Sequence, residues 1–284
     1  MPMPEISRSQ IHSRKAGGPE LVLAVAALTL CAACGRPPDA VVNAANAAPS
    51  EQAQAEAAYQ PAPEVTGAAV AKDGRIELTG AAAPGAAVRL ASPGGAAQFA
   101  TADAQGGWSV IVPASPAPRL FGLSMSRGGP LVQAMGYIFV APDGRVARLR
   151  EGGGSEALAP GGHGLMALAL DTDARHAAAL SGLAAPGDTV SLRVDGIERG
   201  QAVADKSGRF ILSLNEPLAP GAHAFDLASS SGEAQFEVTV DAPAHLANGP
   251  FASARQGRAW RVDWMMPGGG EQTTLVFDTP GPAA

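Results

Sequence analysis

The chain has 284 residues, of which 60 are alanine, 35 glycine and 24 proline, while only 16% are charged and 5% aromatic. It is too long for one β-sandwich and long enough for two, and so few large side chains allow only thin cores. The formal net charge of −6 argues against a nucleic-acid-binding surface, which needs clustered Lys and Arg, and no basic stripe occurs in the sequence, so no nucleic-acid partner is expected.

The N-terminus has the pattern of a secretory signal. Arg8, Arg14 and Lys15 precede the apolar run LVLAVAALTLCAA at residues 21–33. A helix of that length rises about 20 Å, which is short of the roughly 30 Å of a bilayer core. We therefore expect residues 1–33 to be a signal peptide and not a transmembrane span.

The end of this run resembles the lipobox of bacterial lipoproteins. Small residues precede Cys34 in Cys31-Ala-Ala-Cys34-Gly35, although Cys31 occupies the position that is usually leucine. The resemblance implies that Cys34 is lipidated and becomes the mature N-terminus, anchoring the protein to a membrane. Gly35, where inner-membrane lipoproteins carry Asp, implies sorting to the outer membrane, facing the periplasm. The alternatives are plain secretion, or a redox or metal role for Cys31 and Cys34.

Residues 34–64 are predicted to form a disordered tether. This segment is rich in Ala, Pro, Asn, Gln and Glu and has almost no large apolar side chain. It lacks the apolar surface that would offset the entropy cost of ordering. Its expected role is to give reach from the lipid anchor.

The chain contains an internal repeat at an offset of 102 residues. Residues 78–113 align without a gap on residues 180–215, with 13 of 36 positions identical. Both copies carry a Pro-Gly turn, at Pro84-Gly85 and Pro186-Gly187, where glycine accepts positive φ. Because the identical positions include turn and strand signals, we interpret the repeat as a duplication of one β domain.

The strands of each copy show period-two alternation. Val88 and Leu90 are expected to point into the core, while Arg89 between them points to solvent. The motif Asp-x-x-Gly, beginning at Asp103 and Asp205, predicts a hairpin loop in which the Asp side chain accepts backbone N–H groups. Trp108 and Phe210 open the strands after these loops and are the residues most strongly predicted to lie in the two cores.

About seven strands per copy predict an all-β fold of two tandem Ig-like antiparallel sandwiches. The turn motifs, the aromatic strands and the segment PLAPGAH at residues 217–223 resemble the bacterial Ig-like modules of envelope proteins, including those that precede LysM modules in alphaproteobacteria. Domain 1 is expected at 65–160, domain 2 at 161–243, and a C-terminal hairpin and tail at 244–284.

Two hairpins are predicted outside the aligned repeat. Residues 138–150 contain the turn Asp143-Gly144, and residues 260–277 form the second pair of strands. Because each hairpin follows one copy, we expect β-hairpin extensions that are one equivalent appendage occurring twice.

Catalytic and metal-binding motifs are missing from the sequence. There is no Gly-x-Ser-x-Gly elbow, phosphate loop or dinucleotide fingerprint, and the histidines are scattered. Asp171 and Asp173 are interpreted as a solvated turn and not as part of a calcium site. No catalytic residue, metal or cofactor is therefore predicted, and the protein is not expected to be an enzyme.

The scarce aromatic residues near the C-terminus form a candidate partner surface. Trp260 and Trp264 are expected on one face of a strand with Val262, and Arg258 and Arg261 lie nearby. Exposed Trp and Arg are typical of binding sites. The alternative is that this strand face covers the edge of the sandwich.

The sequence thus favours a cell-envelope lipoprotein with a structural or protein-interaction role. An envelope protein or peptidoglycan is the expected partner, in addition to the membrane that holds the anchor. A peptidoglycan-binding or glycan-binding protein is the first alternative. An enzyme with a site built from loops is the second.

Overall fold

A computed structural model of the protein describes residues 60–158 and 164–278. Within these residues every regular element is a β-strand, which confirms the predicted all-β class. The described residues contain no helix that is long and apolar enough to cross a bilayer. The predicted signal peptide, Cys34 and nearly all of the predicted tether lie outside the described residues.

The first half of the described chain, here called module 1, contains ten strands in two sheets. They are β1 (Glu64–Val70), β2 (Ile76–Ala81), β3 (Ala87–Ala91), β4 (Ala97–Thr101), β5 (Gly107–Val112), β6 (Arg119–Ser126), β7 (Val132–Gln133), β8 (Tyr137–Val140), β9 (Val146–Leu149) and β10 (Glu156–Ala157). One sheet has the order β1-β2-β5 and the other β10-β9-β8-β6-β3-β4, with β7 also paired to β6. All pairs are antiparallel.

The second half, module 2, contains ten further strands in two sheets. They are β11 (Met166–Asp173), β12 (Ala178–Leu183), β13 (Thr189–Val194), β14 (Ile197–Val203), β15 (Arg209–Ser213), β16 (Gly221–Ser229), β17 (Gly232–Val240), β18 (Phe251–Gln256), β19 (Ala259–Met265) and β20 (Glu271–Phe277). The sheet orders are β15-β12-β11-β20-β19-β18 and β14-β13-β16-β17.

The two modules share an Ig-like strand order. In module 2 the first, second and fifth strands (β11, β12, β15) form one side of the sandwich, and the fourth, third, sixth and seventh (β14, β13, β16, β17) form the other. Module 1 repeats this order with β1–β6, and its seventh position is split into β7 and β8, both beside β6. This is the two-sheet arrangement of Ig-like domains, so the predicted tandem sandwiches are confirmed.

The turn motifs of the repeat adopt the predicted conformations. Gly85 and Gly187 have φ of 72° and 83°. The carboxylate of Asp103 accepts the backbone N–H groups of Gln105 and Gly107 at 2.9 and 2.8 Å, and Asp205 does the same in the second copy. These local interactions explain why the duplication kept its turn residues.

Each module has its own hydrophobic core, in which the predicted aromatic residue is buried. Trp108 is 5% exposed in the core of module 1 and Phe210 is 2% exposed in that of module 2. Both rings lie against a glycine of the neighbouring strand, at Gly80 and Gly182. A Cβ atom on either glycine would come within 2.4 Å of the ring and within 2.3 Å of a backbone carbonyl oxygen.

Replacing Gly182 with alanine is therefore expected to destabilise module 2. The new methyl group would meet the carbonyl oxygen of Met166, which belongs to the strand ladder and has little freedom to move, and the ring of Phe210. Overpacking of this kind costs about 1 to 3 kcal/mol, which urea denaturation would measure. Gly94→Ala serves as the control, because Gly94 has no positive φ and no atom within 4 Å of its Cβ position; equal losses from both variants would contradict this explanation.

The two hairpin extensions are formed, but they are not equivalent, and this corrects the prediction. In module 1 the β8–β9 hairpin continues the sheet of β6 on its seventh-strand side. In module 2 the β19–β20 hairpin, with β18 added, joins the opposite sheet through β11. The reason is that strand β17 runs uninterrupted for nine residues, after which the chain crosses to the other side of the sandwich.

Candidate functional site

A third hydrophobic core joins the two modules. Its side chains come from β6, the β8–β9 hairpin and β10 of module 1 and from β11, β19 and β20 of module 2. The buried residues are Leu120, Phe139, Ala141, Ala147, Leu149 and Ala157 on one side, and Leu168, Val262, Trp264 and Val276 on the other. All strands of both modules belong to one compact unit of the chain. We call this cluster the junction core.

Trp264 lies at the centre of the junction core and is fully buried, with 0% of its surface exposed. The ring of Tyr137 from module 1 meets it edge-on at a centroid distance of 5.7 Å. Its indole N–H donates to the hydroxyl of Thr274 at 3.1 Å. The prediction that Trp264 contributes to an exposed partner surface is therefore wrong, because the strand face it occupies covers module 1.

Trp260 shares that strand face, as predicted, and also contacts module 1. Its ring lies 6.1 Å from that of Phe139, and its N–H donates to Asp143 at 2.9 Å. Asp143 is in the predicted hairpin turn of module 1, so the turn of one extension is held by the strand of the other. Trp260 keeps only part of its surface accessible.

The two predicted arginines lie in different surroundings. Arg261 is half-buried and held by the carboxylates of Asp263 and Asp241, at 2.9 and 3.1 Å. These hydrogen bonds raise the pKa of the Arg261 guanidinium, although burial opposes the shift. Arg258 is exposed at the β18–β19 turn. The structure thus does not bring the four predicted residues together into one accessible patch.

Sequence reasoning missed a buried polar cluster beside the junction core. Asp171 is 3% exposed and accepts hydrogen bonds from the Ser155 N–H, the Gln272 amide and the Thr274 hydroxyl, at 2.8, 3.0 and 2.6 Å. Burial raises the pKa of the Asp171 carboxyl, although these donors work in the opposite direction. The predicted solvated turn is therefore wrong for Asp171, which lies within β11, and fits only Asp173, which caps the following turn.

Gln272 connects this cluster to the main chain of module 1. Its amide donates to the carbonyl of Arg150 at 2.8 Å, and its side-chain oxygen accepts the N–H of Gly152 at 2.9 Å. A buried glutamine that satisfies two backbone groups of another module fixes their relative position, because both groups would otherwise be left unpaired. The signal in the sequence was the run Gln272-Thr273-Thr274, which places polar residues on both faces of a strand.

A second charged cluster lies where module 1 meets β15. The carboxylate of Glu156, which is 6% exposed, pairs with Arg148 of its own module and Arg209 of module 2. Arg148 also pairs with Glu64 at 3.1 Å. Burial of a charge is tolerated only when it is paired in this way. This cluster therefore links the modules by ion pairs, in addition to apolar packing.

A groove of about 590 Å³ lies beside strand β17 of module 2. One wall is strand β17 and the other is formed by β11, β20 and the β18–β19 turn. Its apolar surface includes Phe236, Leu275 and Phe277. The charged residues Arg258 and Asp278 also line it. The ring of Phe236 stacks on that of Phe225 at a centroid distance of 5.3 Å and contacts that of Phe277 at 5.2 Å. The floor of the groove is therefore continuous with the core of module 2. Arg258 is the one residue of the predicted partner surface that lines it.

His223 is the histidine with the best-defined environment in the described part of the chain. Its ring nitrogens lie 2.7 Å from the Asp195 carboxylate and 2.7 Å from the carbonyl of Ala219. Burial is the largest single influence on the pKa of His223 and lowers it. The two hydrogen-bond acceptors together outweigh burial and a smaller repulsion from Arg199, so the pKa of His223 is raised. No group of three or more metal-ligating side chains is found among residues 60–158 and 164–278.

We expect His223 to make module 2 more stable at mildly acidic pH. A histidine whose pKa is raised on folding contributes stability that is fully present below the unfolded value of about 6.5 and is lost as pH rises through the folded value. Thermal unfolding between about pH 5.5 and 8.5 should show this slope in the native chain and a reduced slope in His223→Gln. An unchanged slope would show that the Asp195 contact does not persist in solution.

Comparisons with known proteins identify no family. No protein-family model matches the sequence, and no curated protein matches it. The solved structures that are similar include two at 12% identity: the BSP domain of a biofilm-associated protein, covering 63% of this chain with a TM-score of 0.21, and the central fibronectin-III array of RIM-binding protein, covering 76% with a TM-score of 0.24. The chain spans 29% of the first structure's length and 89% of the second's. At these TM-scores the fold assignment depends on the strand order described above.

Proposed function

We propose that the protein is a non-enzymatic lipoprotein of the cell envelope, anchored through Cys34, whose two modules act as one rigid body that presents a binding surface to an envelope protein. The observation that carries this proposal is the junction core. Tandem domains joined only by a linker move independently by default. Here aromatic packing, the Gln272 clamp and the ion pairs of Glu156 all hold the modules in one arrangement.

The polar groups of the structure support a structural role over a catalytic one. The buried carboxylates of Asp171 and Glu156 are engaged by donors from both modules. A catalytic acid or base needs access to a substrate, whereas Asp171 is buried at the junction of the modules. The carboxylate of Glu156 lines a cavity of about 410 Å³, but it is occupied by Arg148 and Arg209. The two carboxylates serve to define one arrangement of the two sandwiches, which suits a protein that spaces or holds a partner.

The anchor is tested by metabolic labelling with a radioactive fatty acid. The native chain is expected to incorporate the label and to fractionate with the outer membrane, and Cys34→Ala is expected to lose both properties. Cys31→Ala is the matched control, because it changes the neighbouring cysteine and leaves the predicted lipidation site intact. Labelling of Cys34→Ala at the native level would overturn the lipoprotein assignment.

The interaction role is tested by crosslinking the native protein in intact cells and identifying the captured molecule by mass spectrometry. Capture of one specific envelope protein supports the proposal. Loss of that capture in Trp264→Ala supports the role of the rigid junction only where circular dichroism shows that the variant is still folded. Capture of peptidoglycan fragments alone would overturn it in favour of a wall-binding protein. Failure to enrich any molecule over a Cys34→Ala control would also count against it.

A further inference from the structure

Among the described residues, strand β17 forms a sheet edge with no neighbour on its outer side. It is the last strand in the order β14-β13-β16-β17 and pairs with β16 over nine consecutive residues without a register shift. The opposite edge, β14, is irregular, because its pairing with β13 shifts between Leu192 and Arg193. Such bulges blunt an edge against further pairing. β17 has no comparable irregularity.

The free backbone groups of β17 can be assigned from hydrogen bonds on its neighbour. Ala224 of β16 uses both its N–H and its C=O toward Asp195, on the side away from β17. Its partner Glu237 therefore lies in a non-hydrogen-bonded pair, and its own N–H and C=O point outward. Because backbone groups alternate with a period of two, the N–H and C=O groups of Gln235 and Thr239 also point outward. In agreement, the Thr239 carbonyl accepts a hydrogen bond from the side-chain amide of Gln256 at 2.9 Å.

The equivalent edge of module 1 is covered. There β8 occupies the seventh-strand position beside β6, and β9 pairs with it antiparallel. The covering strand and its flanks read Arg145-Val-Ala-Arg-Leu-Arg150, an extended segment that mixes apolar and basic residues. Since the two modules are copies of one fold, module 1 shows which kind of segment this sheet edge accepts. In module 2 the chain leaves this edge after β17, and residues 164–278 supply no such strand.

The surroundings of β17 specify the chemistry of an added strand. Side chains of that strand on the core side would enter the apolar groove, over Phe236 and Phe277. On the solvent side they would face Glu233 and Glu237, two exposed carboxylates without an intervening cation on β17. Opposite charges across a strand pair are favourable and like charges are not. Two copies of β17 paired edge to edge would bring these glutamates together, which disfavours a second copy as the occupant.

We propose that β17 is a docking edge for an extended segment of a partner protein that alternates apolar and basic residues and adds to the sheet as an antiparallel strand. This inference rests on the proposed interaction function and names the surface and the partner chemistry. Main-chain hydrogen bonds to Gln235 and Glu237 would supply affinity, and the groove and the glutamates would supply selectivity.

The test uses the full chain and a fluorescent peptide, Arg-Val-Arg-Leu-Arg-Val-Arg, in which basic and apolar residues alternate strictly, as the glutamates and the groove require. Anisotropy is expected to show saturable binding, and hydrogen exchange is expected to show new protection of the amides of Gln235 and Glu237. A scrambled peptide of the same composition, which retains the charge but loses the alternation, is expected to bind more weakly by about tenfold. Equal binding of both peptides, or protection elsewhere in the chain, would overturn the proposal.

Variants of Glu237 separate the backbone from the charge. Glu237→Gln removes the charge and keeps the outward N–H, whereas Glu237→Pro removes both without removing a bond to β16 and is expected to bind about tenfold more weakly than Glu237→Gln. Glu237→Lys keeps the N–H and reverses the charge, and its matched control is Glu198→Lys, the same change on the opposite edge strand β14. If binding survives Glu237→Pro and Glu237→Lys, or if Glu198→Lys weakens it equally, β17 is not the docking edge.

These outcomes are distinguishable from failure of the proposed function. If crosslinking in cells captures a specific envelope protein and Glu237→Pro leaves that capture unchanged, only the assignment of β17 fails. If no envelope protein is captured from the native chain, the interaction function itself fails. Unchanged thermal unfolding of Glu237→Lys confirms that any loss of binding is not a loss of fold.

Discussion

Replacing Trp264 with alanine is expected to lower the free energy of unfolding by about 3 to 5 kcal/mol. The side chain is fully buried between the modules, so its removal leaves a cavity that neither sandwich can close alone. The Thr274 hydroxyl also loses the indole N–H that it accepts. Urea denaturation, followed by circular dichroism, measures the loss.

The neighbouring residue Met265 provides the matched control for this prediction. It lies on the same strand but is 46% exposed, so Met265→Ala is expected to change stability by less than about 0.5 kcal/mol. Trp264→Phe, which keeps most of the apolar packing but loses the N–H, should fall between the two. A change below about 1 kcal/mol for Trp264→Ala would mean that the junction core is not formed in solution.

Truncating the central aromatic residue of either module is expected to have an effect of similar size. Trp108→Ala and Phe210→Ala should each cost about 3 to 5 kcal/mol, because each ring fills the space between a glycine on the adjoining strand and its own core. Differential scanning calorimetry is expected to show that the altered module melts first. The transition of the other module should then shift less, because it loses only the contacts of the junction.

Ile211 is the internal control for the second truncation. It follows Phe210 on β15 but points to the opposite face and is 54% exposed. Ile211→Ala is expected to remain within about 0.5 kcal/mol of the native chain. Equal effects of Phe210→Ala and Ile211→Ala would contradict the assigned orientation of β15.

The fold of each sandwich could be predicted from sequence because its signals are local. Val88 and Leu90 alternate with Arg89, and the turns at Gly85 and Asp103 need only a few adjacent residues. The duplication then presented every signal twice. Even the buried state of Trp108 and Phe210 followed from their position directly after a turn.

The candidate site could not be predicted in the same way because its contacts are distant in sequence. Gln272 meets the main chain of Gly152 across 120 positions, and Trp260 meets Asp143 across 117. Period-two alternation shows that Trp260 and Trp264 share a face but does not show what covers that face. Asp171 was wrongly predicted to lie in a solvated turn. The sequence does not show the three hydrogen-bond donors that allow its carboxylate to be buried within a strand.

The location of the free edge also depends on topology and not on composition. Residues 232–240 alternate as regularly as any paired strand. Only the sheet order reveals that β17 has one neighbour, whereas β8 has a neighbour on each side. Two copies of one fold can therefore present different edges, because the segments that follow them take different paths.

The most direct test of the rigid junction is a distance measurement between the modules by double electron–electron resonance. Spin labels at Phe99→Cys and Val203→Cys, both exposed on opposite modules, would be placed on the full chain with Cys31→Ser and Cys34→Ser. A rigid junction predicts one narrow distance distribution that broadens when Trp264→Ala is added. A broad distribution in the chain that retains Trp264 would contradict it and would show that the modules move independently.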